Sequence, residues 1–201
     1  EAAIEQYRDS FNVWTDANEN ELIKLEILIP KAREVLEYKG AEFETPIKYG
    51  EFIGYADYLR AINNGIMQLL DFKYCSKSGL KRYPESGQLH VYAHFLRKLG
   101  VNVSEMAYLC VPKVQIRQKG TENLYQFRQR LKETCEAVEP VFLPVEFNEE
   151  KVHEFTRGVQ AMKAATEFPK EPTRLCDWCE YKELCQKGSK EMILPSTERR
   201  D

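Results

Sequence analysis

The stretch that decides the fold, residues 54–77, reads GYADYLRAINNGIMQLLDFKYCSK. Two apolar runs flank the turn residues Asn63 to Gly65, a pattern that predicts a β-hairpin. Asp57 and Asp71 lie inside these runs, and Lys73 follows Asp71 by two residues. A charge in an apolar strand is costly unless it has a partner or a chemical role. These three residues are therefore the first candidates for a functional site.

The predicted hairpin brings the two acids together. Asp57 lies seven residues before Asn64 and Asp71 lies seven residues after it, so they should face each other across the strands. Asp71 and Lys73 leave the same face of one strand. Two carboxylates that meet repel each other unless a cation joins them, and hard oxygen ligands favour Mg²⁺ or Mn²⁺. The carbonyl of Phe72 could be a further ligand.

Lys73 has two possible roles beside such an ion. It could stabilise charge on a phosphate under attack, or it could hold or deprotonate the attacking water. The alternative is a cross-strand salt bridge without catalytic function, in which Lys73 simply neutralises Asp71 or Asp57.

The composition is typical of a globular protein. It has 201 residues, of which 43% are hydrophobic and 30% charged, which suits one domain with a small appendage. No stretch approaches the roughly 20 apolar residues of a membrane span, and the start lacks the pattern of a signal peptide. We therefore expect no membrane association. The net charge of −3 argues against a strongly basic coat protein but leaves room for a nuclease with a local basic track.

The first half of the chain predicts helices and then strands. Residues 1–39 read as two helices, the second capped by Asn20, interrupted at Pro30 and ended by Gly40. Three strands follow from Ala41 onward, and SGQLHVYAHFLRKLG then reads as a helix that begins at Ser86.

The second half predicts mixed structure. EMAYLCVPK and VFLPVEF read as strands, TENLYQFRQRLKETCEAV as mixed, and NEEKVHEFTRGVQAMKAATEF as a helix. This order predicts an α/β fold, a mixed β-sheet flanked by helices, over residues 1–168. Residues 169–201 are predicted to form a small Cys-rich element packed on the same domain.

Several of these features occur together in one known family. The chain has G-x-x-D at Gly54 and Asp57, D-x-K at Asp71 and Lys73, and Q-x-x-x-Y at Gln88 and Tyr92. In this order and at these distances, over about residues 42–113, they resemble the PD-(D/E)xK nuclease superfamily in its RecB-like branch.

The resemblance implies a restriction-endonuclease-like core and a metal-dependent DNA nuclease. Asp57, Asp71 and the Phe72 carbonyl would bind Mg²⁺ or Mn²⁺, beside Lys73. Gln88 and Tyr92, one helical turn apart, would contact the metal-bound water or the DNA strand. Without the resemblance, we would interpret Gln88 as an ordinary residue of the helix surface and Tyr92 as a tyrosine of the core. A carboxylate of the first strand, at residue 42 or 44, could complete the site.

A cysteine cluster near the end of the chain predicts a second metal centre. Cys176, Cys179 and Cys185 have the spacing C-x2-C-x5-C in polar surroundings, and their thiolates could converge on one soft metal such as zinc. The resemblance to AddB-type nucleases implies instead a structural 4Fe-4S cluster, whose fourth ligand is a cysteine near the N-terminus.

This chain departs from that pattern in two places. No cysteine precedes Cys75, and no histidine precedes His90, although the family carries an upstream histidine that helps to bind metal. We therefore expect a missing N-terminal segment, so that the fourth cluster ligand is not in this chain. The alternative is an incomplete or altered cluster. The other three cysteines read as reduced core residues, which suggests a cytoplasmic protein.

A basic segment with aromatic residues is a candidate DNA-binding surface. Cations can follow phosphates, aromatic rings can stack on bases, and an ordinary solvated surface would look similar. The candidate residues are Lys113, Arg117, Lys119, Tyr125 and Arg128.

The sequence therefore predicts a metal-dependent deoxyribonuclease. We expect an exonuclease that acts on single strands or DNA ends in DNA repair, recombination or phage DNA processing, in a bacterial or phage-infected cell, with a possible helicase or recombination partner. One alternative is a catalytically inactive DNA-binding or scaffold module of such a complex. Another is a zinc-ribbon-tipped α/β protein without a DNA role.

Overall fold

A computed structural model describes residues 2–63, 65–167 and 172–187. Internal contacts divide the chain into two units, Glu1–Arg157 and Gly158–Asp201. Asn64, at the centre of the predicted turn, lies outside the described residues, and so do residues 169–171 and 188–201 of the predicted Cys-rich element.

Two helices open the chain, as predicted, but the bounds of the second differ. Helix α1 spans Ala2–Asp9 and helix α2 spans Asp16–Glu34. The predicted cap at Asn20 is wrong, because Thr15 and Asn18 form a reciprocal capping box that starts α2 earlier. The predicted interruption at Pro30 did not end the helix. Proline removes only one backbone donor there, and the helix, anchored ahead of Pro30 by the buried side chains of Leu22, Ile23 and Leu28, continues to Glu34.

Five strands form one mixed sheet, in the order β1-β2-β3-β4-β5. Their bounds are β1 Ala41–Tyr49, β2 Phe52–Asn63, β3 Ile66–Cys75, β4 Asn102–Pro112 and β5 Val141–Pro144. Strands β1, β2 and β3 are antiparallel, β4 is parallel to β3, and β5 is antiparallel to β4. Gly65 joins β2 to β3 with a φ of 78°, a left-handed conformation that favours glycine. The predicted mixed sheet flanked by helices is confirmed.

Helices connect the parallel strands β3 and β4. They are α3, Lys77–Leu80, a 3-10 turn at Tyr83–Glu85, and α4, Gln88–Lys98. The backbone N–H of Gln88 donates to the hydroxyl of Ser86, the residue expected to start this helix. Buried side chains of α4 pack against β3 and β4 in the largest core cluster, which includes Leu69, Leu89 and Tyr108.

Helix α5, Leu124–Glu136, packs with α2 in a second cluster that includes Ile23, Leu28 and Leu131. The segment predicted as mixed is thus a helix, because Asn123 and Gln126 form another reciprocal capping box ahead of its apolar face.

Helix α6 spans Glu149–Ala164, and its start is tied to α4. His90 of α4 is 2% exposed, and its Nδ1 accepts the backbone N–H of Asn148 at 3.1 Å. The side chain of Asn148 in turn accepts the N–H of Glu150 at 2.9 Å. In the second unit, a 3-10 helix spans Arg174–Trp178 and α7 spans Lys182–Lys187. Of the helices in the described ranges, none has the length and apolar character needed to span a bilayer.

Candidate active site

The two acids of the opening stretch lie on adjacent strands. Strands β2 and β3 pair through Leu59↔Leu69 and Tyr58↔Leu70, so the next step of this register sets Asp57 opposite Asp71. Asp57 is half-buried and Asp71 is only 1% exposed. The hairpin thus brings together the two carboxylates that the residue count predicted to meet.

Backbone pairing between β2 and β3 ends at these acids, and a side-chain hydrogen bond takes its place. The backbone pairs run from Asn63↔Ile66 to Tyr58↔Leu70, whereas β3 stays paired with β4 through Cys75. Asp57 Oδ2 accepts the backbone N–H of Phe72 at 2.7 Å. A carboxylate therefore satisfies a strand donor at the point where the two strands part, which holds Asp57 beside the backbone between Asp71 and Lys73.

Lys73 forms an ion pair with Asp71, through its Nζ and Oδ2. Burial raises the pKa of Asp71 above its usual value; the hydrogen bond from Lys73 acts against this rise, and the negative charge of Asp57 adds to it. Burial alone would lower the pKa of Lys73, but attraction to Asp71 and Asp57 outweighs it, and the net shift is upward. The site therefore combines one ammonium with two carboxylates, and this arrangement of charges favours a further cation.

Tyr108 belongs to this site, although the sequence analysis did not single it out. It is the ladder partner of Asp71 in the parallel β3–β4 pair, and it is fully buried. Lys73 Nζ lies 5.8 Å from the centre of the Tyr108 ring and 5.7 Å from that of Tyr83. A helical crossover between two strands signals a parallel neighbour, which could have pointed to the AYLCV run. The register that selects Tyr108 comes from the structure.

Gln88 and Tyr92 lie on one face of α4, and Gln88 Nε2 donates to Tyr92 Oη at 3.4 Å. The Tyr92 ring also contacts β2 at a glycine. A Cβ on Gly54 would lie 3.1 Å from Tyr92 Cε1 and 3.1 Å from the Phe52 ring. The glycine three residues before Asp57 thus lets α4 approach the strand that carries this acid.

A cavity of about 380 Å³ opens beside this contact. It lies between the start of β2, the first turns of α4 and the first turns of α6. Its lining residues are Phe52, Gly87, Gln88, Val91, Tyr92, Lys151, Glu154 and Phe155. Gln88 and Tyr92 therefore face a space large enough for part of a substrate.

Glu42 and Glu44, the two acidic residues of the first strand that could complete the site, are both exposed. Glu44 lies between the ladder pairs Phe43↔Tyr58 and Thr45↔Ala56, so its backbone faces Asp57. Its φ is 49°, a left-handed conformation that is strained for a residue other than glycine. The strain thus lies on β1 directly opposite a candidate metal ligand.

The residues of the basic segment differ in their contacts. Arg128 contacts Asp16 at 2.8 Å and Asn20 at 3.2 Å, which ties α5 to α2. Lys119 uses its backbone N–H to bond Glu122. Tyr125 is 71% exposed, and Lys113 lies over the ring of Tyr74 rather than beside Tyr125. DNA binding by Lys113, Arg117, Lys119, Tyr125 and Arg128 stays a prediction.

The cysteine triplet lies in the second unit. Cys179 and Cys185 are exposed, and the sulfur of Cys176 accepts the N–H of Thr173 at 3.2 Å. Among the described residues, no group of three or more histidine, cysteine or acidic side chains is arranged to hold a metal ion. The other three cysteines, Cys75, Cys110 and Cys135, are buried.

Comparison with known proteins identifies the family. The sequence profile of the PD-(D/E)XK nuclease superfamily matches residues 1–186. No curated protein matches the chain. A solved structure described as "Crystal structure of SSO0001" is 13% identical, with a TM-score of 0.42, over 93% of this chain and 78% of that one.

Proposed function

Because the chain belongs to the PD-(D/E)XK nuclease superfamily, we propose that it is a metal-dependent deoxyribonuclease with its active centre at Asp57, Asp71 and Lys73. The observation that carries this proposal is the meeting of two carboxylates and a lysine where strands β2 and β3 part. The finer proposal is an exonuclease that acts on single strands or DNA ends, in repair, recombination or phage DNA processing.

The donor atoms fit a hard divalent cation. Asp57 and Asp71, with the carbonyl of Phe72, would hold Mg²⁺ or Mn²⁺, since carboxylate and carbonyl oxygens are the ligands these ions prefer. The raised pKa of Asp71 supports this fit, because two nearby carboxylates at a buried position are stabilised by added positive charge. When bound, the ion would polarise a phosphate oxygen and activate water.

Lys73 would supply the fixed positive charge. Its raised pKa keeps the ammonium protonated near neutral pH, which favours stabilisation of negative charge on the phosphate over a role as general base. The rings of Tyr83 and Tyr108 lie within 6 Å of the ammonium and limit where it can point. Gln88 and Tyr92 would orient water or the substrate strand from the neighbouring cavity.

DNA cleavage tests this function directly. End-labelled single-stranded and duplex DNA would be incubated with Mn²⁺ or Mg²⁺ and the wild-type protein, beside Asp71→Asn and Lys73→Ala. We expect the wild type to cut and both variants to lose activity by on the order of 100-fold or more. Full activity of Lys73→Ala would contradict the proposed mechanism. Products from 5′- and 3′-labelled strands would reveal polarity.

One observation favours a second candidate, an inactive DNA-binding or scaffold module. Among the described residues, no group of three or more histidine, cysteine or acidic side chains is arranged to hold a metal ion, so no third such side chain joins Asp57 and Asp71 in this arrangement. Such a module would bind DNA without cutting it in either metal, an outcome that the same experiment distinguishes.

We further propose that Cys176, Cys179 and Cys185 bind an iron–sulfur cluster. Three thiolates within ten residues are soft donors suited to iron–sulfur or zinc centres. Iron, sulfide and zinc contents of anaerobically purified protein would decide between them. A helicase or recombination partner and a cytoplasmic location belong to the same proposal, and co-purification from native cells would test the partner.

A further inference from the structure

The cavity of about 380 Å³ beside Gln88 and Tyr92, which we call the α4–α6 cavity, also carries a lysine. The proposed nuclease function gives roles to Gln88 and Tyr92 but none to the opposite wall, which α6 forms. The lining residues are Phe52 from β2, Gly87, Gln88, Val91 and Tyr92 from the start of α4, and Lys151, Glu154 and Phe155 from α6.

The α4–α6 cavity and the acid Asp71 lie on the same face of the sheet. Phe52 and Tyr92 pack against the core cluster that contains Leu69 and Tyr108. Leu69 precedes Asp71 by two residues on β3, and Tyr108 is the ladder partner of Asp71 on β4. The side chain of Asp71 therefore leaves the sheet on the face that carries this cluster and the cavity.

The cavity is nevertheless separate from the acids along β2. The Tyr92 ring lies against Gly54, and Asp57 follows Gly54 by three residues, which is roughly 10 Å along an extended strand. One phosphate group cannot reach both positions. A nucleic-acid strand bound at both would therefore present a different phosphate to each.

Lys151 lies across the cavity from α4, and the start of its helix is held in place. Burial lowers the pKa of His90, which lies between Gln88 and Tyr92 in the chain, and the positive charge of Lys151 lowers it further. The Nδ1 atom of His90 accepts the backbone N–H of Asn148 at 3.1 Å. This hydrogen bond holds the first turn of α6, and with it the backbone of Lys151, against α4.

The ion pair of Lys151 is a weak one. Its Nζ lies 3.4 Å from a carboxylate oxygen of Glu154, three residues later on the same helix, and the Glu154 side chain is 53% exposed. By comparison, Arg130 and Arg157 contact carboxylates at 2.6 Å. Exposed pairs between neighbours on a helix contribute little to stability. A phosphate can therefore replace Glu154 as the partner of Lys151.

The other side chains of the cavity suit the backbone of a nucleic-acid strand. Phe155 is 39% exposed and lies edge-on to Phe52, with ring centroids 6.1 Å apart. Phe52 is fixed in turn by stacking on Phe95 at 4.0 Å. Lysine, glutamine and tyrosine side chains are common partners of phosphate and sugar oxygens in protein–DNA complexes. The cavity combines these three polar groups with a fixed apolar surface.

We infer that Lys151 binds a backbone phosphate of the substrate strand in the α4–α6 cavity, distinct from the phosphate that is cut at Asp57 and Asp71. This inference rests on the proposed nuclease function and deepens it. Lys151 thereby holds the strand on the far side of the cavity from Gln88 and Tyr92. Its contribution is to substrate affinity, because the contact lies away from the reacting atoms.

The salt dependence of binding tests this role. Affinity for a labelled single-stranded oligonucleotide would be measured by fluorescence anisotropy over a range of salt concentrations, in the Asp71→Asn background with EDTA present. Lys151→Ala should weaken binding about fivefold or more at low salt. It should also reduce the slope of log affinity against log salt by about 0.7, the value for one phosphate contact on a single strand. Lys151→Arg, which keeps the charge, should retain most of the affinity.

Two further variants separate phosphate binding from a structural role. Glu154→Ala breaks the same ion pair but leaves the ammonium, so it should strengthen binding. Equal losses of affinity in Lys151→Ala and Glu154→Ala would overturn the inference, because the ion pair alone would then explain both. Lys132→Ala is the matched control, at an exposed lysine of α5, a helix that packs with α2.

Cleavage by the same variants with Asp71 intact completes the design. We expect Lys151→Ala to raise KM for single strands with little change in kcat. If the wild-type protein cuts DNA and Lys151→Ala matches Lys132→Ala in affinity, salt slope and KM, the inference is overturned and the nuclease function stands. If the wild type never cuts but its DNA binding depends on Lys151, the nuclease proposal fails and Lys151 remains a DNA-binding residue.

Discussion

Tyr92 of α4 lies against Gly54 of β2, so that a Cβ at position 54 would be 3.1 Å from the tyrosine ring. The G-x-x-D and Q-x-x-x-Y motifs thus meet at one contact, and Asp57, the acid of the first motif, follows Gly54 by three residues. The spacing of helix and strand at the candidate site depends on the absence of a single side chain. This contact leads to the first prediction.

Gly54→Ala should lower nuclease activity. The added methyl group would push the Tyr92 and Phe52 rings aside by a few tenths of an ångström, and overpacking of this kind costs about 1–3 kcal/mol in folding free energy. We expect reduced kcat in DNA cleavage beyond what the fraction of folded protein explains. Gly120→Ala is the control, since no atom lies within 4 Å of a Cβ built there. Equal activity of the two variants would contradict the prediction.

Asp71→Asn should abolish cleavage without destabilising the metal-free protein at neutral pH. The folded-state pKa of Asp71 is raised chiefly by burial, so its favourable contribution to stability is present below the model-peptide value of 3.8 and is lost as the pH rises through the higher folded value. The amide carries no charge and avoids this loss.

Urea unfolding in EDTA at pH 4 and pH 7 would measure the difference. The stability of Asp71→Asn relative to the wild type should increase from the lower to the higher pH. Lys73, whose pKa is raised from 10.5, keeps its favourable contribution throughout this range and loses it only above that value. If the difference in unfolding free energy between the two proteins does not change with pH, burial is not the dominant influence on the pKa of Asp71.

Glu44→Gly should stabilise the fold while weakening cleavage. Relief of the left-handed φ of 49° should contribute about 1 kcal/mol, and loss of the carboxylate opposite Asp57 tests its part in the metal site. Glu44→Gln keeps the strain and removes the charge, so it should lower activity at unchanged stability. Activity equal to the wild type in both variants, titrated over Mn²⁺ concentration, would remove Glu44 from the site.

The six cysteines should separate into two reactivity classes. Burial raises the pKa of Cys110 to about 12, and Cys75 and Cys135 are buried as well, so these thiols should react with a disulfide reagent only after unfolding. Cys176, Cys179 and Cys185 should react quickly in metal-free native protein. Protection of these three after anaerobic removal of the chelator and reloading with iron and sulfide, or with zinc, would support a shared centre. Full reactivity after loading would argue against it.

The sequence by itself determined the strand hairpin, the helix that follows it and the likeness to a nuclease family. These follow from local chemistry: alternation of apolar residues, a glycine turn, and a residue count that sets Asp57 opposite Asp71. It also placed the end of α4 correctly at Gly100, which has a φ of 85°. The predicted end of the second helix at Gly40 is wrong, because α2 ends at Glu34. The start of α2 was placed wrongly, because the capping box of Thr15 and Asn18 outweighed the apparent cap at Asn20.

Only the tertiary structure decided which distant residues join the site. The β3–β4 register, set by packing of the crossover helix on the sheet, brings Tyr108 beside Asp71. The contact between Gly54 and Tyr92 and the ion pair between Arg128 and Asp16 both join segments far apart in the chain. Periodicity and turn chemistry describe near neighbours, whereas such contacts depend on how whole helices and strands pack, which no local pattern specifies.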